Sequence, residues 1–167
     1  GPYNCAFGSS ALRDNQSGGY NCAFGSSALL LNTTGYNNTA NGFAALFSNT
    51  SGHENTAIGS QALNANLTGS NNTAVGTQAL YFNSNGIQNT AVGSWALNEN
   101  VTGYNNTATG YYSLRKNTGN SNTATGTFAL SNNLGGSDNT AMGANSLQTN
   151  TAGFANTALG TTSLGSN

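Results

Sequence analysis

The chain reads as an all-β protein, a parallel β-solenoid (β-roll) of about ten 17-residue coils over residues 3–167, and three observations predict it. The alanine of an N-T-A triplet, twice N-C-A, returns at Ala6, Ala23, Ala40, Ala57, Ala74, Ala91, Ala108, Ala124, Ala141 and Ala158, every 17 residues with a single step of 16. Around it the unit N-[TC]-A-x-G-x-x-[AS]-L-x-x-N-x-x-G-x-x keeps its first Asn, its Ala, its first Gly and its Leu in all ten copies, and its second Asn from Asn15 to Asn167. Gly and Asn inside every unit, with no i, i+3, i+4 apolar stripe, exclude a helix.

Each segment of the unit has an expected role. N-T-A-x-G is one short strand, x-x-A-L a second, and N-x-x-G the return turn. Ten coils at the ~4.8 Å strand spacing make a rod on the order of 48 Å long. The short step follows Asn117, where N-T-G replaces N-x-x-G, so the missing residue comes out of a turn. Stacked in register, the two Asn columns become ladders of side-chain amides; the competing reading is that Asn only serves left-handed turn positions. Alternation puts Asn38, Ala40 and Gly42 on one face and Thr39 and Asn41 on the other. The first face suits a narrow interior holding one Ala, one Leu and a small residue per coil.

Only 4% of residues are charged, the formal net charge is −1, and Arg13, Arg115 and Lys116 are the only cationic side chains. That gives no basic stripe for phosphates, so no nucleic-acid partner is expected. No apolar run approaches ~20 residues, so membrane insertion is not expected either. Gly1-Pro2 reads as an expression-tag scar before an array already under way at Tyr3, and the chain as an uncapped piece of a longer fibre.

No catalytic residue, metal or cofactor is expected. His53 is the single histidine, and Glu54 beside it diverges on a strand or turn, leaving no third ligand. A serine nucleophile needs a base within hydrogen-bond reach and then an orienting group, and nothing in the chain is seen to supply that set. Asp14, Glu54, Glu99 and Asp138 are spread over distant coils, which supplies neither a glycosidase pair nor a calcium site. Cys5 and Cys22 share the Thr column in successive coils, ~5 Å apart, inside disulfide range, although parallel side chains suit that torsion poorly and favour free, partly buried thiols.

The outward column after the alanine is Phe7, Phe24, Asn41, Ile58, Val75, Val92, Thr109, Thr125, Met142 and Leu159. Its apolar members, Phe7, Phe24, Ile58, Val75, Val92, Met142 and Leu159, form a stripe that a lone rod would expose, so they are expected to pack against other copies of the chain. Closed symmetry along the fibre makes a homotrimer the natural candidate; a dimer is also permitted. Three variable windows per coil hold the remaining information. The window after the Leu column includes Arg13-Asp14, Phe47-Ser48, Tyr81-Phe82, Asn98-Glu99 and Arg115-Lys116, and is expected to face water. The other two place Tyr36, His53 and Tyr104 before N-T-A, and Trp95, Tyr111, Tyr112 and Phe128 after its glycine. With Tyr81, Phe82, Arg115 and Lys116 these aromatics are the candidate recognition residues, able to stack on sugar rings or anchor a protein receptor. The competing reading is that they cover turns and seams between chains.

The stretches "NTAIGSQAL" and "NTAVGTQAL" resemble the YadA-like head repeat of trimeric autotransporter adhesins. Residues 3–167 are also similar to the N-T-A-x-G-x-x-A-L-x-x-N-x-x-G arrays of phage, viral and bacterial fibre proteins. The resemblance implies a left-handed β-roll, three chains about one axis, on a virion, phage fibre or bacterial cell surface, presenting or mediating adhesion to a host glycan or protein receptor. The unit here is about three residues longer than the adhesin repeat, and its Leu-x-x-Asn turn replaces an Ala-x-Gly one. The alternative from another class is an ice-binding solenoid using the rank Thr39, Thr56, Thr73, Thr90, Thr107, Thr123, Thr140 and Thr157.

Overall fold

A computed structural model describes residues 1–165. The described residues are all-β and contain no helix. Ten three-residue strands stack into one parallel sheet: β1 (Cys5–Phe7), β2 (Cys22–Phe24), β3 (Thr39–Asn41), β4 (Thr56–Ile58), β5 (Thr73–Val75), β6 (Thr90–Val92), β7 (Thr107–Thr109), β9 (Thr123–Thr125), β11 (Thr140–Met142) and β12 (Thr157–Leu159). Two short strands, β8 (Lys116–Asn117) and β10 (Asn132–Asn133), pair on another side of the coil. The register is column on column: Thr56 on Thr73, Ala57 on Ala74, Ile58 on Val75. Ten stacked strands separated by nine intervening coil turns are a β-solenoid.

From β2 onward the central alanine of each three-residue strand is buried and its neighbours point out, as alternation requires, while Ala6 in the first coil is exposed. The register survives the short step, with Thr107 on Thr123, because the residue is lost from the turn: Asn117 Nδ2 donates to the carbonyl of Gly119, two residues on, where Asn83 reaches Gly86 three residues on.

The expected second strand, x-x-A-L, is not a strand. It is a run of turns with alternating left-handed corners. The second x and the Leu have positive φ in every coil, 55° at Gln78 and 50° at Leu80, 62° at Trp95 and 49° at Leu97. The first turn closes from the N–H of Ala79 to the carbonyl of Gly76, 3.3 Å, and the second from Asn83 to Leu80, 3.2 Å. Positive φ at its third residue, Gln78, gives the first the signature of a type II turn, whereas the second begins on the left-handed Leu80. Stacking still satisfies the backbone, since Gln78 N–H donates to Ser60 O in the coil before and Leu80 N–H to Ala96 O in the coil after. A left-handed corner costs roughly 1–2 kcal/mol at a residue with a Cβ; at Leu the same corner turns the side chain fully inside, recovering about 1.5–3 kcal/mol.

The interior is less apolar than expected. Beside two small residues and one Leu per coil, such as Ala74, Ala79 and Leu80, it holds both Asn columns, with Asn72 at 1% and Asn83 at 0% exposure. In the first ladder Asn89 Nδ2 donates to Asn72 Oδ1 (3.2 Å) and to Gly103 O (2.7 Å), and the same Oδ1 accepts the backbone N–H of Asn89 (3.0 Å). In the second, Asn100 Nδ2 donates to Asn83 Oδ1 and to Gly103 O, each 3.0 Å. The two ladders therefore converge on one glycine carbonyl per coil. None of the described ladder asparagines has positive φ, so the ladder reading holds and the left-handed-turn reading does not. Both glycine columns follow from the stacking. Gly76 has φ 133°, and a Cβ there would lie 2.7 Å from the carbonyl of Gly93; a Cβ on Gly86 would collide with Asn83 Oδ1 and the carbonyl of Gly103.

Candidate functional site

Thr and x side chains both leave the sheet on its outer face. The x column stays open there: Phe7, Phe24, Ile58, Val92, Met142 and Leu159 are exposed and Val75 half-exposed. Thr73, Thr90, Thr107 and Thr123 run beside it in register. At β7 and β9 the x positions are also threonine, so Thr107, Thr109, Thr123 and Thr125 make a small hydroxyl block within the apolar stripe.

The candidate recognition residues form separate groups, because only columns come together. Tyr36 lies flat on His53, ring centroids 4.7 Å apart and 7° between planes. Tyr81 meets the exposed Phe82 edge-on at 4.5 Å. Trp95 stacks on Tyr112 at 5.7 Å, and Tyr112 on Phe128 at 5.4 Å, with Tyr111 edge-on to both Tyr112 and Phe128. Partial desolvation first, then the neighbouring Tyr112 hydroxyl, raises the Tyr111 pKa above the ordinary value. Arg115 lies 5.1 Å from the Tyr112 centroid and pairs with Glu99 at 2.9 Å, a half-exposed pair worth at most about 1 kcal/mol. Tyr104 stands apart, exposed, and Lys116 sits half-buried on β8. These stacks occupy ring faces, so Trp95, Tyr112 and Phe128 act mainly as a seam between coils.

One expectation needs correction. The window after the Leu column does not face water throughout: Asn98 is 2% exposed, its Nδ2 donating to Gln78 O at 2.9 Å, because a short amide here can reach back across a left-handed corner. One serine has a base in reach. Ser70 Oγ lies 3.0 Å from His53 Nδ1 and accepts the His53 backbone N–H at 3.1 Å, since residues 17 apart are neighbours in the stack. Ser70 is buried, and among the described residues no carboxylate hydrogen-bonds the imidazole, so the pair lacks the orienting group of a nucleophilic set.

Among the described residues no group of three His, Cys, Asp or Glu side chains could hold a metal. Cys5 and Cys22 are free thiols in register; burial first, then its neighbour Cys5, raises the Cys22 pKa. Arg13 holds the Asp14 carboxyl below its usual range through a hydrogen bond, Arg13 exposed and Asp14 half-exposed. No helix of the described residues is long and apolar enough to cross a membrane. One feature escaped the sequence reading, an open groove of about 580 Å³ lined chiefly by Leu67, Phe82 and Val101 with Glu99 at its edge. Its signal was present: Leu67 and Val101 occupy a turn position after the second Asn that is threonine at Thr33, Thr50, Thr118 and Thr151.

The fold and its outer face define a β-solenoid repeat protein. Comparison of the chain with protein-family models, curated proteins and solved structures gives no match.

Proposed function

We propose that the chain is a structural segment of a homotrimeric surface or tail fibre, left-handed and extracellular, which presents or mediates adhesion to a host or partner surface. The observation that carries this reading is the outer sheet face, where apolar side chains stand exposed in one file along the rod. Monomers rarely keep an apolar stripe of this length exposed, even one interrupted at Asn41, Thr109 and Thr125, and a stripe parallel to the long axis suits closed symmetry about that axis. The resemblance of "NTAVGTQAL" to adhesin head repeats supports the same assembly. Sedimentation equilibrium tests it. The expected mass is three times the 16.8 kDa chain, and Ile58→Asp with Val92→Asp should release monomers; a wild-type monomer overturns the proposal.

A second reading, ice binding, is favoured by the in-register threonine rank and the Thr107, Thr109, Thr123, Thr125 block. Thermal hysteresis distinguishes the two. The fibre reading expects none at any concentration.

A further inference from the structure

The stack that holds Tyr36 is closed on one side and open on the other. Below the ring lies His53, parallel to within 7°, itself fixed by the Ser70 hydroxyl. One coil earlier the same position is Gly19, which has no side chain to cover the upper face of the ring. A cavity of about 490 Å³ opens at that gap, lined by Tyr36, Tyr20, Asn37, Ser17, Gly19 and Pro2. No lining side chain is charged. Tyr104, in the same column, is flanked by Ile87 and Asn120 and its backbone N–H bonds Asn120 Oδ1 at 3.0 Å, so no such gap adjoins it.

We infer that the slot between Gly19 and Tyr36 binds one neutral hexopyranose ring, its axial C–H face laid on Tyr36 and its hydroxyls met by the Asn37 amide and the Ser17 and Tyr20 hydroxyls. The chemistry of the lining selects this ligand class. The π-face of the ring is its negative face and attracts the polarised C–H groups of a pyranose. A rim of neutral donors and acceptors suits hydroxyls, and the lack of charge gives no hold on phosphate or carboxylate. The backing matters as much as the face: a ring already clamped by His53 loses little freedom on binding. The inference rests on the fibre reading for its setting and gives that reading a ligand, but the slot lies within one chain.

The test is an NMR titration of the whole chain with methyl β-D-galactopyranoside and methyl β-D-glucopyranoside, followed at the Tyr36 ring and the single His53. At least one sugar should shift the Tyr36 ring with a Kd on the order of 1 mM. Tyr36→Ala should weaken it at least about 10-fold, while Tyr36→Phe and Tyr104→Ala leave it within about 2-fold, the unchanged signals of the single tryptophan, Trp95, reporting in each variant that the stack is intact. Saturation by neither sugar, shifts by phenol alone, or binding that survives Tyr36→Ala overturns the inference. A monomer that binds sugar removes the trimer and keeps the site; a trimer that does not bind removes the site alone.

Discussion

The two sides of each coil solve the same problem by opposite means. On the T-A-x side the backbone is extended, neighbours pair in register, and Thr73 N–H reaches Asn89 O at 2.8 Å. On the G-x-x-A-L side the chain bends through two left-handed corners, yet Leu80 N–H still reaches Ala96 O in the next coil at 2.9 Å. Both sides bury side chains completely, Ala74 on one and Ala79 and Leu80 on the other. The contrast teaches that a solenoid needs coil-to-coil hydrogen bonds and not strands. The extended side stores no strain and leaves a flat outer face; the bent side stores strain at each corner and offsets it by burying Leu.

The harshest way to break the stack is where the two sides meet, at the glycine between strand and turn. Gly76→Ala combines φ 133° with a backbone collision and should cost more than about 4 kcal/mol in urea denaturation. Gly135→Ala, exposed and with only Thr151 O within reach at 3.9 Å, should stay within about 0.5 kcal/mol of wild type. Next, Leu97→Ala removes the buried residue that compensates the corner and should cost about 2–5 kcal/mol. Asn89→Ala probes the interior that joins the sides. It strips the acceptor from both the backbone N–H and the Nδ2 of Asn106, and about 2–4 kcal/mol should be lost.

The extended side was the legible one. A period of 17 with Asn, Ala, Gly and Leu always filled is enough to place the sheet, its register, both ladders and the outward x column, because strand alternation and stacking are rules of geometry. The bent side was not legible. Leucine is a poor candidate for a left-handed corner, and nothing in A-L-x-x announces one; the corner becomes favourable only when the interior is there to receive Leu80 or Leu97. The candidate site divides the same way. That Tyr36 and His53 share a column could be read from their spacing. Which ring face stays open depends on Gly19, whose meaning appears only once the coils are stacked, and Ser70 reaches His53 for the same reason.

The outer face offers a milder probe, through its two thiols. Cys5 is exposed and Cys22 half-buried, and the Cys22 pKa is raised chiefly by burial. A raised pKa means less thiolate at a given pH, so iodoacetamide at pH 8 should label Cys5 several-fold faster than Cys22, as read by peptide mass spectrometry. Raising the pH should narrow the gap as Cys22 ionises. Equal rates at pH 8 would mean that the strand edge at β1 and β2 is open, and that the extended side is less regular than its register implies.

The smallest effect addresses the strain on corners that bury nothing. Gln88 is exposed with φ 57°, at the position just before the ladder asparagine, where Asn37, Asn71 and Asn105 also take left-handed φ of 55–59°. Asparagine tolerates that region better than glutamine, because its short amide can hydrogen-bond the adjacent backbone. Gln88→Asn should therefore raise stability by about 0.5 kcal/mol, while Leu80→Asn, at a corner with nearly the same φ, should lose at least about 2 kcal/mol because the buried side chain goes with it. Opposite signs for one substitution type at two left-handed corners would show that burial, and not the backbone angle, decides which residue a corner accepts.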